Sequence, residues 1–235
     1  FTGDCLHSWT MSKIPHMSLR KNIPSTASVA IPGQNGRLLA PAADRNAKPI
    51  GDLVVEIAPK RGQALEIASG TGQHIVKLAA ATPELTWQPS DIDPLRIASI
   101  KTWSLDKTLV NLKAPVLLDA TQVGWSSEHT NQNFVLLVNL IHLISVSEAR
   151  TIISEILLAL APSGRSVIYG PFKRDGKLTT PGDKSFHQSL KEADPEIGYK
   201  NDTWLIDQFR IAGLALLRVE QMPANNLAFV VEKHR

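Results

Sequence analysis

The stretch LEIASGTG (residues 65–72) decides how the rest of the chain is read. An apolar run over 64–68 predicts a strand, small residues and the glycines Gly70 and Gly72 predict a tight turn, and a helical apolar period resumes over 73–81. Small residues between a strand and a helix let a ligand come close to the backbone. A dinucleotide fingerprint would put a third glycine three positions after Gly72, where this chain has Ile75, so a nicotinamide-dependent oxidoreductase is disfavoured. No Gly-Lys-Ser/Thr follows, which excludes a P-loop. The acid on the strand, Glu66, would repel a pyrophosphate and suits a cationic ligand.

Two further acids stand in matching places. Asp91 lies 19 residues beyond Gly72 at the end of a predicted strand over 86–90, where a carboxylate can accept both hydroxyls of a ribose. Asp119 ends a predicted strand over 115–118 and could accept from an exocyclic amine such as adenine N6. Acids at three successive strand ends would line one crevice at the carboxyl edge of a sheet, where open α/β sheets bind ligands. An adenosine carrying positive charge fits all three.

Outward from the turn, strand-length apolar runs alternate with segments of helical period, the pattern of parallel strands joined by crossover helices. A helix is predicted over 44–57, with Pro49 tolerable in its opening turn or at a kink. Asp93 and Pro94 give an N-cap and first-turn proline for a helix to about Lys107. Strands follow over 134–138 and 166–170, separated by a helix opening at Ser145 with Glu148 as its capping-box partner and ended by Pro162 and Gly164. A polar loop over 171–183 leads to helices over 186–193 and 203–212 and to strands over 215–221 and 226–232. The fold class is α/β, a doubly wound, mostly parallel sheet of seven strands with the last one antiparallel.

These residues resemble those of the class I S-adenosylmethionine (SAM) methyltransferases. EIASGTG (66–72) is similar to their first motif, with Ala68 where the first glycine usually stands; SDIDP (90–94) is similar to the ribose-binding motif and DA (119–120) to the adenine one. APAADRN (40–46) with PI (49–50), LEIASGTGQH (65–74), WQPSDID (87–93), NLIH (139–142), YGPF (169–172) with DG (175–176), and MPANN (222–226) together resemble one small methyltransferase-like group, sometimes called methyltransferase-like protein twenty-six, of unassigned function. The resemblance spans about residues 37–233. It implies a Rossmann-like fold and SAM as cofactor, contacted by Glu66, Ala68, Ser69, Gly70, Gly72, Asp91, Ile92, Asp119, Ala120 and Asn139. It makes Arg45 and Asn46 candidates to close over the cofactor or hold an anionic substrate. Arg174 and Asp175 after the fifth strand, and Asn225 and Asn226 before the last, are further candidates for substrate contact.

His142, Asn139 and Tyr169 are the candidate catalytic residues. Methyl transfer is an in-line displacement that mainly requires alignment of nucleophile, carbon and sulfur, so His142 is either a base for a hydroxyl acceptor or a positioning group for a thiolate or amine. Each residue also has a plainer reading: Asp93 as a helix cap, His142 as a satisfied core histidine, Asn225 and Asn226 as turn formers, Arg45 and Asn46 as helix openers. A non-catalytic SAM-binding sensor or partner subunit is the alternative function, motivated by Ala68 and by NLIH (139–142) standing where a nucleophile-selecting Asn-Pro-Pro-Tyr type motif would be. The pair Asp91 and Asp93 is not a phosphatase motif, since Leu95 stands where Thr or Val is required, and no Gly-x-Ser-x-Gly elbow or metal-spaced histidine pair occurs.

Composition narrows the classes further. With 43% hydrophobic and 20% charged residues among 235, collagen-like, low-complexity and largely disordered chains are excluded. Cys5, the single cysteine, can make neither an internal disulfide nor a zinc cluster, and a reducing compartment, the cytoplasm, fits best. The net charge of +3 comes from no sustained Lys/Arg run, so nucleic acid is not expected, and the acceptor is expected to be a small molecule. No apolar stretch approaches the roughly 18 residues of a membrane span; the longest, 134–144, contains Asn139 and His142. Residues 1–36, with Asp4 as their only acid and Pro15, Pro24 and Pro32 scattered through them, are expected to be a disordered extension to a domain over 37–235. Met11 and Met17 are candidate starts. The basic, acid-free stretch 11–43 hints at a transit peptide, against which the prolines argue.

Overall fold

The structure, a computed structural model, describes residues 24, 27–105 and 108–234. Cys5, both candidate start methionines, most of the transit-like stretch's basic residues and the expected helix end at Lys107 lie outside these.

A small hairpin, β1 (Ile31–Pro32) and β2 (Leu38–Leu39), leads into α1 (Pro41–Ile57). Then come β3 (Gly62–Ile67), α2 (Gln73–Ala81), β4 (Leu85–Asp91), α3 (Pro94–Leu105) and β5 (Val116–Leu117). The second half runs β6 (Gln132–Val138), α4 (Val146–Ala159), β7 (Leu160–Pro171), α5 (Pro181–Ala193), α6 (Asp202–Ala212), β8 (Leu214–Met222) and β9 (Asn226–Lys233). The main sheet has seven strands in the order β5-β4-β3-β6-β7-β9-β8. β3 pairs in parallel with both β4 and β6, and β9 slots antiparallel between β7 and β8, as the sequence expects of the last strand.

The alternation of side chains along each strand divides the core in two. Leu65, Ile67, Val135, Leu137, Ile168 and Phe229 face α4 and α6; Ala64, Phe134, Leu136, Val167, Tyr169 and Val230 face α1, α2 and α3. Trp87 of β4 meets Phe134 of β6 edge-on at 6.0 Å on the second face. The chain winds outward from β3 to β5 and returns through β6, so the topological switch lies between the carboxyl ends of β3 and β6. A crevice opens there in doubly wound sheets.

Several boundaries differ from expectation for identifiable reasons. α1 starts at Pro41 rather than 44 and carries Pro49 in its interior. α5 begins at Pro181, inside the expected loop, because Thr180 and Asp183 form a capping box: Thr180 Oγ1 accepts from the Asp183 N–H at 3.1 Å and Asp183 Oδ2 accepts from the Thr180 N–H at 3.3 Å. The Ser145/Glu148 box opens α4 as expected. β7 starts at Leu160, ahead of 166, through an irregular stretch where Gln132 pairs Leu160 and Phe134 pairs Arg165. Gly164 sits where a Cβ would come within 2.7 Å of the Gln132 carbonyl, so only glycine fits that bulge. Ser28, in the stretch that the sequence reading gives to the extension, contacts α3, where Arg96 Nη2 donates to its hydroxyl and, at 3.3 Å, to its carbonyl; the Leu38 N–H donates to Ser99 Oγ at 2.8 Å.

Candidate functional site

The turn after β3 is built from left-handed backbone. Ala68 (φ 54°), Gly70 (φ 61°) and Gly72 (φ 94°) reverse the chain within five residues. The turn is fastened to β4 and α3: the Ser69 N–H donates to the Ser90 carbonyl (2.8 Å), the Gly70 N–H to Asp91 Oδ2 (2.8 Å), and Ser99 Oγ to the Thr71 carbonyl (2.7 Å). Gly72 is a packing glycine, since a Cβ there would lie 3.0 Å from Ile100 Cα of α3. Gly70 faces Arg96 Nη1 at 3.3 Å from the same hypothetical atom. Thr71 Oγ1 and the Ala40 N–H both donate to Gln73 Oε1, whose amide nitrogen donates to Asp44 Oδ1, which ties the entry of α1 to the turn.

β3, β4 and β5 are neighbours, so the three acids end adjacent strands as expected. They are not alike. Glu66 is 1% exposed, and its Oε2 has no hydrogen-bond partner. Burial, opposed by a Ser69 hydrogen bond and reinforced by Asp91, pushes its pKa up to about 8. The carboxyl therefore holds its proton at neutral pH, where the sequence implied a standing negative charge; a cation placed beside it would draw the proton off. Asp91 is likewise buried and shifted upward by desolvation, against the pull of the Asp93 N–H, Arg96 and the Gly70 N–H. Its two oxygens each accept one backbone hydrogen bond, from Gly70 (2.8 Å) and Asp93 (3.0 Å), leaving lone pairs for a second acceptor role. Asp119 turns back on its own loop: Oδ1 accepts from the Thr121 N–H (3.0 Å) and hydroxyl (2.6 Å), and Oδ2 from Gln122 (3.3 Å). Asp119 is half-buried, and Oδ2, with that single bond, keeps a lone pair for an amine. Ile92 follows Asp91, and the Ala120 carbonyl accepts from Trp125 Nε1 at 3.1 Å. Asp93 caps α3 by accepting from the Leu95 N–H at 2.8 Å.

Across the switch, Asn139 follows β6 in a left-handed conformation (φ 57°) and its N–H donates to the Tyr169 carbonyl at 2.8 Å. His142 sits one short helical turn on, buried between the rings of Phe186 (5.7 Å) and Tyr199 (6.2 Å). Its Nδ1 has no partner. Burial, then the charge of Lys200, pulls its pKa down to about 3, so the ring is neutral and its nitrogen a weak base. A Cβ on Gly170 would lie 3.7 Å from Asn139 Oδ1 and 3.9 Å from His142 Nδ1, which puts both side chains over that glycine.

A second polar group lies on the α1–α3 side. His74 Nε2 contacts Asn46 Oδ1 at 2.8 Å, and Asn226 Nδ2 donates to the Tyr169 hydroxyl at 2.9 Å. Sequence assigns no role to Gln73 and His74; their signs there are their place in the first turn of the helix after the glycines and in the block LEIASGTGQH (65–74). Arg174 Nη2 donates to the Asn225 carbonyl (3.0 Å), joining the fifth-strand loop to the β8–β9 turn. Two expected contact residues stay apart from this group: Arg45 is exposed on α1, and Asp175 sits in an exposed turn with its N–H on Asp202 Oδ1 (3.0 Å). Among the described residues no cluster of three or more His, Cys, Asp or Glu is placed to hold a metal, and no helix is long and apolar enough to cross a membrane.

The fold has solved relatives. An O-methyltransferase family protein from Burkholderia thailandensis matches with a TM-score of 0.69 at 19% identity over 82% of this chain and 57% of that one. Human N-acetylserotonin methyltransferase, solved in complex with SAM, matches at 0.64 and 12% identity over 79% of this chain and 52% of its own. The [4+2]-cyclase SpnF matches at 0.63 and 16% identity, over 82% and 81%. The chain spans little more than half the length of the two methyltransferases, and these identities establish the Rossmann-like methyltransferase fold alone. At the level of sequence, the model of the family described as "Protein of unknown function (DUF938)" matches residues 37–233, and the chain belongs to that family.

Proposed function

We propose that the crevice between β3 and β6 binds S-adenosylmethionine and that the chain transfers its methyl group to an acceptor entering beside His142 and Tyr169. The observation that carries this reading is Glu66: a buried carboxyl with an unpartnered oxygen, next to Asp91, beneath a left-handed glycine turn. Such a carboxyl needs a donor or a cation, and Asp91 has lone pairs to accept two vicinal hydroxyls. Glu66, the turn Ala68–Gly72 by its backbone, Asp91, Ile92 and Asn139 would hold the nucleoside and its cationic end. When bound, SAM supplies an electrophilic methyl on a sulfonium sulfur.

The chain's own residues then orient the acceptor and keep water out. The low basicity of His142 favours a positioning role, accepting a hydrogen bond at Nδ1 from the nucleophile, over proton removal. The six sequence blocks remain the support for placing the chain with the methyltransferase-like protein twenty-six group. Ile75, fully buried where a dinucleotide site needs glycine, argues against NAD. A second reading, binding without methyl transfer, is favoured by one observation: a neighbour of the same fold is a cyclase.

Titration calorimetry of the whole chain with SAM and with S-adenosylhomocysteine, followed by transfer of labelled methyl to a fractionated pool of small metabolites, separates the readings. Binding of both with transfer is expected; binding without transfer to any fraction supports the second reading, and no binding contradicts both.

A further inference from the structure

The chain ahead of α1 is rooted on α3. The Leu38 N–H donates to Ser99 Oγ at 2.8 Å, the Leu38 carbonyl accepts from Trp103 Nε1 at 3.1 Å, and the Arg37 guanidinium lies over the Trp103 ring, 4.6 Å from its centroid. Traced back from that root, the chain turns at Asn35 and Gly36, both left-handed (φ 57° and 78°), and runs out along β1.

The far end of this segment touches both walls of the crevice. Ala27 packs against the apolar cluster of Leu143, Leu190, Ile197 and Tyr199. That cluster borders His142, since Leu143 follows it in the chain and the Tyr199 ring meets it edge-on at 6.2 Å. Ser28 binds the opposite wall, where Arg96 Nη2 donates to its hydroxyl and, at 3.3 Å, to its carbonyl. Arg96 in turn borders the glycine turn: its Nη1 stands 3.3 Å from a Cβ placed on Gly70, and its Nε 3.9 Å from Asp93 Oδ2. Neighbouring Cα atoms are about 3.8 Å apart. A single peptide unit therefore joins the β6 side of the topological switch to the β3 side.

The segment spans the crevice without filling it. Glu66 Oε2 keeps no partner, and the backbone hydrogen bonds to the Asp91 oxygens come from Gly70 and Asp93. Between root and tip it is thinly held. Val29 and Ile31 are 40% and 48% exposed, and among the described residues β1 pairs with β2 alone. A hairpin that served only to cover core would bury such side chains; here the hold is concentrated at Ala27 and Ser28. The segment also precedes the matched family region, which starts at residue 37, so it is an addition to the family's domain.

We propose that residues 27–36 are a strap over the crevice, seated by Ala27 and latched by Arg96 on Ser28, that lifts about the turn at Asn35 and Gly36 to let a ligand in and out. One charge-assisted contact and one small apolar contact hold a closed state that thermal motion can open. A cover of this kind sets how fast a ligand exchanges. That the ligand is SAM or its demethylated product rests on the function proposed above; the strap itself rests on these contacts.

The test measures association and dissociation of S-adenosylhomocysteine with the full chain by stopped-flow fluorescence. Ala27→Asp, outside the family's domain, should raise both rates about tenfold and shift Kd by less than about threefold. Arg96→Gln should raise the dissociation rate about tenfold, and Arg96→Lys, which keeps a charged donor, should raise it less. Unchanged rates in Ala27→Asp would overturn the strap. So would faster association alone with tighter binding, because the segment would then occupy the site instead of covering it. A second measurement needs no ligand: nitroxides attached through Val29→Cys and Ile211→Cys, in a Cys5→Ser background, report the distance from the strap to the other end of α6. A narrow distribution is expected, broadened by Ala27→Asp; one equally broad in both chains would show that the strap is not seated. If S-adenosylhomocysteine does not bind, the cofactor reading fails, and the nitroxide distances still decide the strap.

Discussion

Ala68 holds a backbone conformation that an L side chain adopts at a cost, in the place where related first motifs carry glycine. Relieving the strain outweighs the extra entropy of an unfolded glycine, so Ala68→Gly should raise stability by about 1 kcal/mol or less, read from chemical denaturation, without altering the turn. Glu66 gives a pH signature. Its folded pKa, about 8, lies above the ordinary value of 4.5, so the folded state binds the extra proton between those limits and stability from this group falls as pH rises through that window. His142 and His74 act oppositely: held at about 3 and about 4 against 6.5, they withdraw stability as pH falls below about 6.5. Melting temperature followed from pH 4 to 9 should therefore decline on both sides, and Glu66→Gln should flatten the alkaline decline and, because Glu66 opposes the histidines between pH 4.5 and 6.5, steepen the acid one. An unchanged alkaline limb in that variant would show that Glu66 is not the buried proton-holder.

At the scale of elements, the glycine turn does two separate jobs. Gly72 brings α2 against α3, and Gly72→Ala should cost about 1–3 kcal/mol, because the new methyl meets Ile100 backbone and the φ of 94° strains it. Thr180→Ala should cost about 1 kcal/mol by opening the cap of α5, seen as a lower denaturation midpoint. Element identity was legible in the sequence wherever period and punctuation agreed, as for α2, α4 and the strands around Glu66 and Asp91. It failed where the signal was chemical rather than periodic. Thr180-Pro181-Gly182-Asp183 is a capping box with Asp in place of the usual Glu, so the pattern that marks a helix start is absent from the sequence there. The bulge at Pro162–Gly164 separates α4 from the regular part of β7 and hides the strand's early start.

The whole molecule shows why the candidate site was only half readable. Acids at strand ends follow from local pattern, and Glu66 and Asp91 do meet under the turn. Asp119 also spends Oδ1 on its own turn, a local preference that Asp-Ala-Thr carries and that spacing alone could not weigh. The pairs Asn46–His74 and Tyr169–Asn226 join α1 to α2 and β7 to β9, and no single-sequence period can bring those together. Nor could sequence show that burial would neutralise Glu66 and His142. The central claim is that Asp91, pinned by the Gly70 and Asp93 N–H groups, receives the sugar of a SAM nucleoside. Calorimetric titration of SAM into the wild-type chain and Asp91→Ala tests it most directly: the account predicts saturable binding to the first and at least a hundredfold loss in the second with the fold intact by circular dichroism, and equal affinity in the two would contradict it.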